Sequence, residues 1–161
     1  MALRPPLVMV NGRISNLPPG DTLNAVVVEV DSFNLTNGNA SAVPICTPVC
    51  LTGVADTFNL ARADASGTAD VFALVSAPSI AAAASGAVQT DGFDVATTAQ
   101  WDAVTGQTGG LTPSAAYFLS AVTAGRLTTT APTATGQFCC YVGRAISTTV
   151  MEISLDRAIA L

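Results

Sequence analysis

Short apolar runs separated by turn residues recur along most of this 161-residue chain. They fall at Ser32 to Thr36, Pro48 to Thr52, Thr57 to Ala61, Val71 to Ser76, Ala87 to Thr90 and Phe93 to Ala96. Others follow at Ala116 to Ser120, Arg126 to Thr129, Gln137 to Ala145 and Val150 to Leu155. Many of these runs are rich in Val, Thr, Phe and Tyr, which suit a pleated, half-buried surface. Turn signals at roughly 8–12-residue spacing between them predict an antiparallel β-sandwich or barrel of short strands. Helical patterns are sparse. Ala81-Ala82-Ala83-Ala84 is too short to stand alone before Ser85-Gly86. Thr98 to Val104 predicts one helical turn, with Thr97 or Thr98 as N-cap.

The first thirty-one residues differ from the rest. Leu7-Val8-Met9-Val10 reads as a strand, Asn11-Gly12 as a type I′ turn, and Arg13 to Leu17 as its return. Pro18-Pro19-Gly20 breaks the pattern before a Val-rich run, Ala25 to Val30. We therefore divide the chain into an N-terminal arm or hairpin with a linking strand (1–31) and a β-sandwich or barrel domain (32–161). The hairpin either packs on its own domain or reaches a neighbouring subunit. Within the larger domain a weak repeat is visible at a spacing of about 69 residues. Pro48 to Thr52, Thr57 to Ala61, Gly67 and Val71 to Val75 are echoed by Ala116 to Ser120, Gly125 to Thr128, Gly136 and Phe138 to Val142. Both copies read strand, turn, strand, glycine, strand. A pseudo-duplicated hairpin unit is one explanation, and the monotony of β sequences is the other.

Composition narrows the chemistry. Charged residues are only 11% of the chain, 11 acidic against 6 basic, and every basic residue is Arg. A phosphate-binding loop of the Walker type needs a Lys, and Ser-His-Asp or Cys-His catalysis needs a His; the chain has neither. A net charge of −5 argues against a nucleic-acid groove. No apolar run approaches the 18 residues of a membrane span. We expect no enzyme activity, no cofactor, no metal, no nucleic acid and no membrane partner. Low charge with 28 Ala and 20 Thr suits either a permanent assembly or an ordinary small β domain.

Individual candidates add little. Cys46 and Cys50, with the adjacent Cys139 and Cys140, do not have zinc-site spacing, and adjacent residues of a strand face opposite ways. We expect four free thiols serving as small core hydrophobes. A bridge between the two pairs is the alternative. Asp91, Asp94 and Asp102 form the densest acidic cluster but lack the alternating ligands of a calcium loop, so they read as a solvated turn. Gly106-Gln107-Thr108-Gly109-Gly110 reads as a flexible turn. Trp101, the sole Trp, is a core plug or an interface anchor.

The most distinctive stretch joins Leu111-Thr112-Pro113, Tyr117-Phe118-Leu119-Ser120, Gly125-Arg126-Leu127-Thr128, Ala131-Pro132, Val142-Gly143-Arg144-Ala145 and Met151-Glu152-Ile153-Ser154. With the opening Met1 to Val8, Val10-Asn11-Gly12 and Leu17-Pro18-Pro19-Gly20-Asp21, it resembles tailed-bacteriophage virion structural proteins, and the resemblance covers nearly the whole chain. It implies a small β-rich capsid decoration (cement) protein, or else a tail, baseplate or tail-fibre module contributing to host attachment. It also implies residence in the virion after assembly in the host cytoplasm. Binding would be to the major capsid protein or other virion proteins, as a homo-oligomer such as a trimer. No catalytic residue comes with it. An interface on the arm would use Leu3, Arg4, Leu7, Val8, Met9 and Arg13, and a second apolar candidate is Ile159 with Leu161.

Overall fold

The computed structural model describes residues 32–161 and, before them, the strands β1 (Leu7–Val10) and β2 (Arg13–Asn16). These two pair antiparallel, Leu7 opposite Asn16 and Val10 opposite Arg13, as the Asn-Gly signal predicts. The turn residues themselves, and the Val-rich run 25–30, lie outside the described residues.

The fold is all-β. A closed five-stranded barrel is built from β3 (Ser32–Asn37), β5 (Pro48–Leu51), β6 (Thr57–Leu60), β7 (Ala73–Val75) and β9 (Ser85–Gln89), in the order β3-β6-β5-β7-β9. The short strands β4 (Val43–Pro44) and β8 (Ser79–Ile80) pair with each other. A one-turn helix, α1 (Ser66–Ala69), lies between β6 and β7. A five-stranded antiparallel sheet follows, made of β10 (Asp91–Val95), β11 (Ala116–Leu119), β12 (Leu127–Thr128), β14 (Tyr141–Ala145) and β15 (Val150–Ser154). Helix α2 (Thr98–Thr105) connects β10 to β11, and β13 (Phe138–Cys139) pairs with β16 (Ile159–Ala160).

The repeat seen in the sequence corresponds to a repeated strand order. In both halves the first strand pairs with the fifth, the fifth with the fourth, the fourth with the second and the second with the third, all antiparallel. In the barrel these are β3-β9-β7-β5-β6, and in the open sheet β10-β15-β14-β11-β12. The halves differ at the seam. In the first, β3 meets β6 in a parallel pair and closes the barrel. In the second, β10 and β12 are the two edges of the sheet, and α2 packs on β12.

Two cores result, and period-2 alternation along β5 and β7 feeds both. Val49, Ala73 and Val75 point into the barrel with Leu35, Phe58, Ile80 and Val88. Cys50 and Leu74, between them in sequence, face outward. There they meet Tyr117, Leu119, Val142, Met151 and Ile153 of the open sheet and Trp101 and Val104 of α2. Strands buried on both faces read as continuous apolar runs, which is why Pro48 to Cys50 and Ala73 to Val75 show no polar alternation.

The Ala81–Ala84 window, too short to stand alone as a helix, is loop, with Ala83 in the left-handed region (φ 58) and bonded through its N–H to Asn37 O at 3.0 Å. Two expectations need correcting. The run Gln137 to Ala145 is two strands, because the chain leaves β16 at Cys139 and joins β11 and β15 only from Tyr141. The helix after Thr97 runs two turns. Thr97 Oγ1 accepts the Gln100 N–H while the Gln100 side chain accepts the Thr97 N–H, a capping box, and Gly106 (φ 69) ends the helix.

Candidate functional site

The three acidic residues grouped in the sequence do not form one site. Among the described residues no group of three or more His, Cys, Asp or Glu side chains converges. Asp102 on α2 accepts the Gly109 N–H at 3.1 Å and the Gly110 N–H at 2.7 Å, so it ties down the glycine loop. That loop is a fixed structural turn, since Gly110 (φ 87) sits where a Cβ would lie 2.2 Å from the Thr148 carbonyl oxygen. Asp94, expected in a solvated turn, is instead 4% exposed. Its placement follows from strand alternation: Phe93 and Val95 face solvent, so Asp94 faces inward.

Asp94 lies near Cys46, a fully buried residue held at φ 65 in the turn before β5. The thiol and the Val95 N–H both act on the Asp94 carboxyl, yet Oδ2 has no hydrogen-bond partner. Burial pushes the Asp94 carboxyl up from 3.8 to about 6, against the opposing help of those two donors. Burial, followed by the Asp94 charge, pushes the Cys46 thiol far above its ordinary value. Such a thiol is inert as a nucleophile.

All four cysteines are free, and Cys46, Cys50 and Cys140 are buried. Burial also raises Cys50 and Cys140, and the Cys140 Sγ–H donates to Asp156 O at 3.2 Å. Trp101 is a core residue: it is fully buried and its Nε1–H donates to Thr149 O at 3.1 Å. Tyr117, also fully buried, accepts the Thr112 N–H at 2.9 Å and donates to Gln107 Oε1 at 2.7 Å.

The surface carries an apolar band that the sequence analysis did not single out. Phe33, Leu51 and Val54 are 49%, 47% and 67% exposed. With Leu35 and Phe72 they line a shallow cleft of about 440 Å³. The Phe33 and Phe72 rings are 5.9 Å apart between centroids. Leu51 and Phe72 also border a second cleft of about 450 Å³, which reaches Asp70, Leu155, Asp156 and Arg157. The two clefts thus share a wall at the end of β5. Aromatic and aliphatic side chains exposed together are the usual mark of an interaction surface. Alternation in Ser32 to Thr36 places Phe33 on the same face as Leu35, and only the structure shows that Leu35 is covered while Phe33, two residues nearer the strand end, is open.

Of the interface residues expected from sequence, Leu3 and Arg4 lie outside the described residues. Leu7, Val8 and Met9 are on β1 and Arg13 is on β2. Ile159 and Leu161 are 66% and 42% exposed. Their backbone is tied down: β16 pairs with β13, the Leu161 N–H donates to Gln137 O, and the Gly136 N–H donates to Leu161 O. No helix among the described residues is long and apolar enough to cross a membrane. No family model matches the chain, and no curated protein or solved structure matches it.

Proposed function

We propose that this chain is a non-catalytic structural protein of a bacteriophage virion, decorating the assembled head and stabilising it. The observation that carries the reading is the Gly110 to Ser154 signature, taken with the opening of the chain, which resembles such proteins across nearly its whole length. The apolar band of Phe33, Leu51, Val54 and Phe72 supports it, as does the exposed Ile159 and Leu161. These supply contact surface that a lattice would cover. The stabilisation works by mass action: a protein that binds assembled capsomers and not free subunits shifts the equilibrium toward the lattice. Copies joined around a symmetry axis, as a trimer would be, add avidity without new contacts.

Attachment in the tail, baseplate or fibre is the competing location, and the same experiment separates the two. Virions are split into heads and tails and the protein is quantified in each by mass spectrometry. Hundreds of copies in heads are expected. A few to a few dozen copies in tails would move the protein to the attachment apparatus, and absence from both fractions would refute a virion role. Phe33→Ser with Leu51→Ser should then reduce head occupancy without unfolding the domain, as should deletion of residues 1–17.

A further inference from the structure

We propose that the band of Phe33, Leu51, Val54 and Phe72 receives the N-terminal hairpin of a second copy of this chain. This names an occupant for the band and goes beyond the proposed function, since it concerns the chain alone and not its place in a virion. Two incomplete surfaces give the first line of support. The hairpin β1–β2 is a two-stranded sheet that, among the described residues, pairs with no third strand. Two strands alone are marginal in water and gain stability from a further strand or an apolar surface. The hairpin segment is rich in apolar residues, with Leu7-Val8-Met9-Val10 on one strand and Ile14 on the other. The band is the converse, an apolar surface without a cover. Phe33, Leu51 and Val54 stay open in the single chain, with its own arm attached, which points to a donor on another copy.

The second line is charge. The first nineteen residues carry Arg4 and Arg13 and no acidic residue. The other 142 residues carry four Arg and all eleven acidic residues. The chain is thus divided into a basic arm and an acidic body. The acidic part flanks the band. Asp56 lines the cleft that contains Phe33, and Asp70 and Asp156 line the adjoining one, where Arg157 is the one cation. All three carboxylates are on exposed residues, and Asp70 is fixed by accepting the Ala158 N–H at 3.0 Å. An apolar floor with an acidic rim suits an apolar segment whose only charges are two Arg.

The third line is reach. Fifteen residues separate Asn16 from Ser32, and fully extended they span about 50 Å. That exceeds the roughly 36 Å diameter expected of a 130-residue domain. An arm given by one copy and received by the next is a heterologous contact, which closes into a ring where the rotation allows. In a closed ring every arm and every band is used.

Photo-crosslinking on the full chain tests this. A photoreactive amino acid replaces Val54, which is 67% exposed. Isotope-labelled and unlabelled copies are refolded together in equal amounts, irradiated and analysed by mass spectrometry. Crosslinks from position 54 to residues 1–16 are expected, about half of them joining a labelled to an unlabelled copy if the arms are exchanged. Arm crosslinks confined to one isotope would show a chain covering its own band and overturn the proposal. Crosslinks that miss the arm, or a chain that sediments as a monomer at every concentration, would overturn it too. Arg4→Glu with Arg13→Glu should weaken the assembly on the order of tenfold in sedimentation equilibrium at low salt. Unchanged assembly in that variant would refute the charge match on which the choice of occupant rests.

Discussion

Gly109 and Gly110 offer a comparison in which one physical variable changes. Both have positive φ, 93 and 87, and both donate their N–H to the Asp102 carboxylate. A Cβ at Gly109 meets nothing within 4 Å, while one at Gly110 lies 2.2 Å from Thr148 O and 2.9 Å from Thr98 Cγ2. Gly109→Ala therefore carries only the conformational cost of a left-handed backbone, about 1–2 kcal/mol. Gly110→Ala carries that cost and also forces the loop away from the Ser147–Thr149 backbone. The Leu111 N–H to Thr148 O bond (3.0 Å) is lost, along with the charge-assisted bond from the Gly110 N–H to Asp102 (2.7 Å). A neutral bond contributes about 1 kcal/mol net and a charged one about 2. The sum for G110A is about 4–5 kcal/mol, against about 1–2 for G109A. Urea denaturation followed by the fluorescence of Trp101, which is buried in the adjoining helix, measures both. Equal losses in the two variants would show that the glycine loop is not held against Thr148 and would refute the reasoning.

Tyr117→Phe should cost about 1–3 kcal/mol by the same denaturation, because it strips the Thr112 N–H of its acceptor beneath a buried ring. Thr97→Ala should cost about 1 kcal/mol by removing the N-cap, and helical signal from α2 should fray with it. Thiol labelling under native conditions should modify Cys139 first, since Cys46, Cys50 and Cys140 are buried and their thiols are raised; all four should react in denaturant. Fast native labelling of the three buried thiols would contradict their place in the core.

The sequence pattern reveals the all-β class and most strands within a residue or two, because period-2 alternation survives wherever one face is wet. Val150 to Ser154 shows this, with Met151 and Ile153 buried and Glu152 and Ser154 exposed. It does not reveal strands such as Val43–Pro44, Ser79–Ile80 and Ile159–Ala160, which are too short for any period to show. The repeat is faintly legible through its glycines and strand lengths, but strand order depends on pairings between distant segments. The acidic residues are misleading for a related reason. Asp91, Asp94 and Asp102 are neighbours in sequence, and a strand and a helix carry them to different surroundings. Only the inward position of Asp94 on β10 separates it from an ordinary turn aspartate. The apolar cleft at Phe33 is hidden for lack of any sequence mark that distinguishes a covered phenylalanine from an open one.

The repeated strand order also constrains how the chain reaches this fold. In each half the first strand pairs with the last: Ser32 with Gln89 and Asp91 with Ser154. Neither half can complete its sheet until all of that half is available, and loop closure over such distances is slow. During synthesis β10 must wait as an unpaired edge until β15 emerges, whereas β3 has β6 as a partner before β9 arrives. The first half can close upon itself, whereas the second finds part of its core on the finished barrel, through Cys50, Leu74 and Cys46. The barrel is therefore a template for the sheet, and assembly should run from the N-terminal half to the C-terminal one.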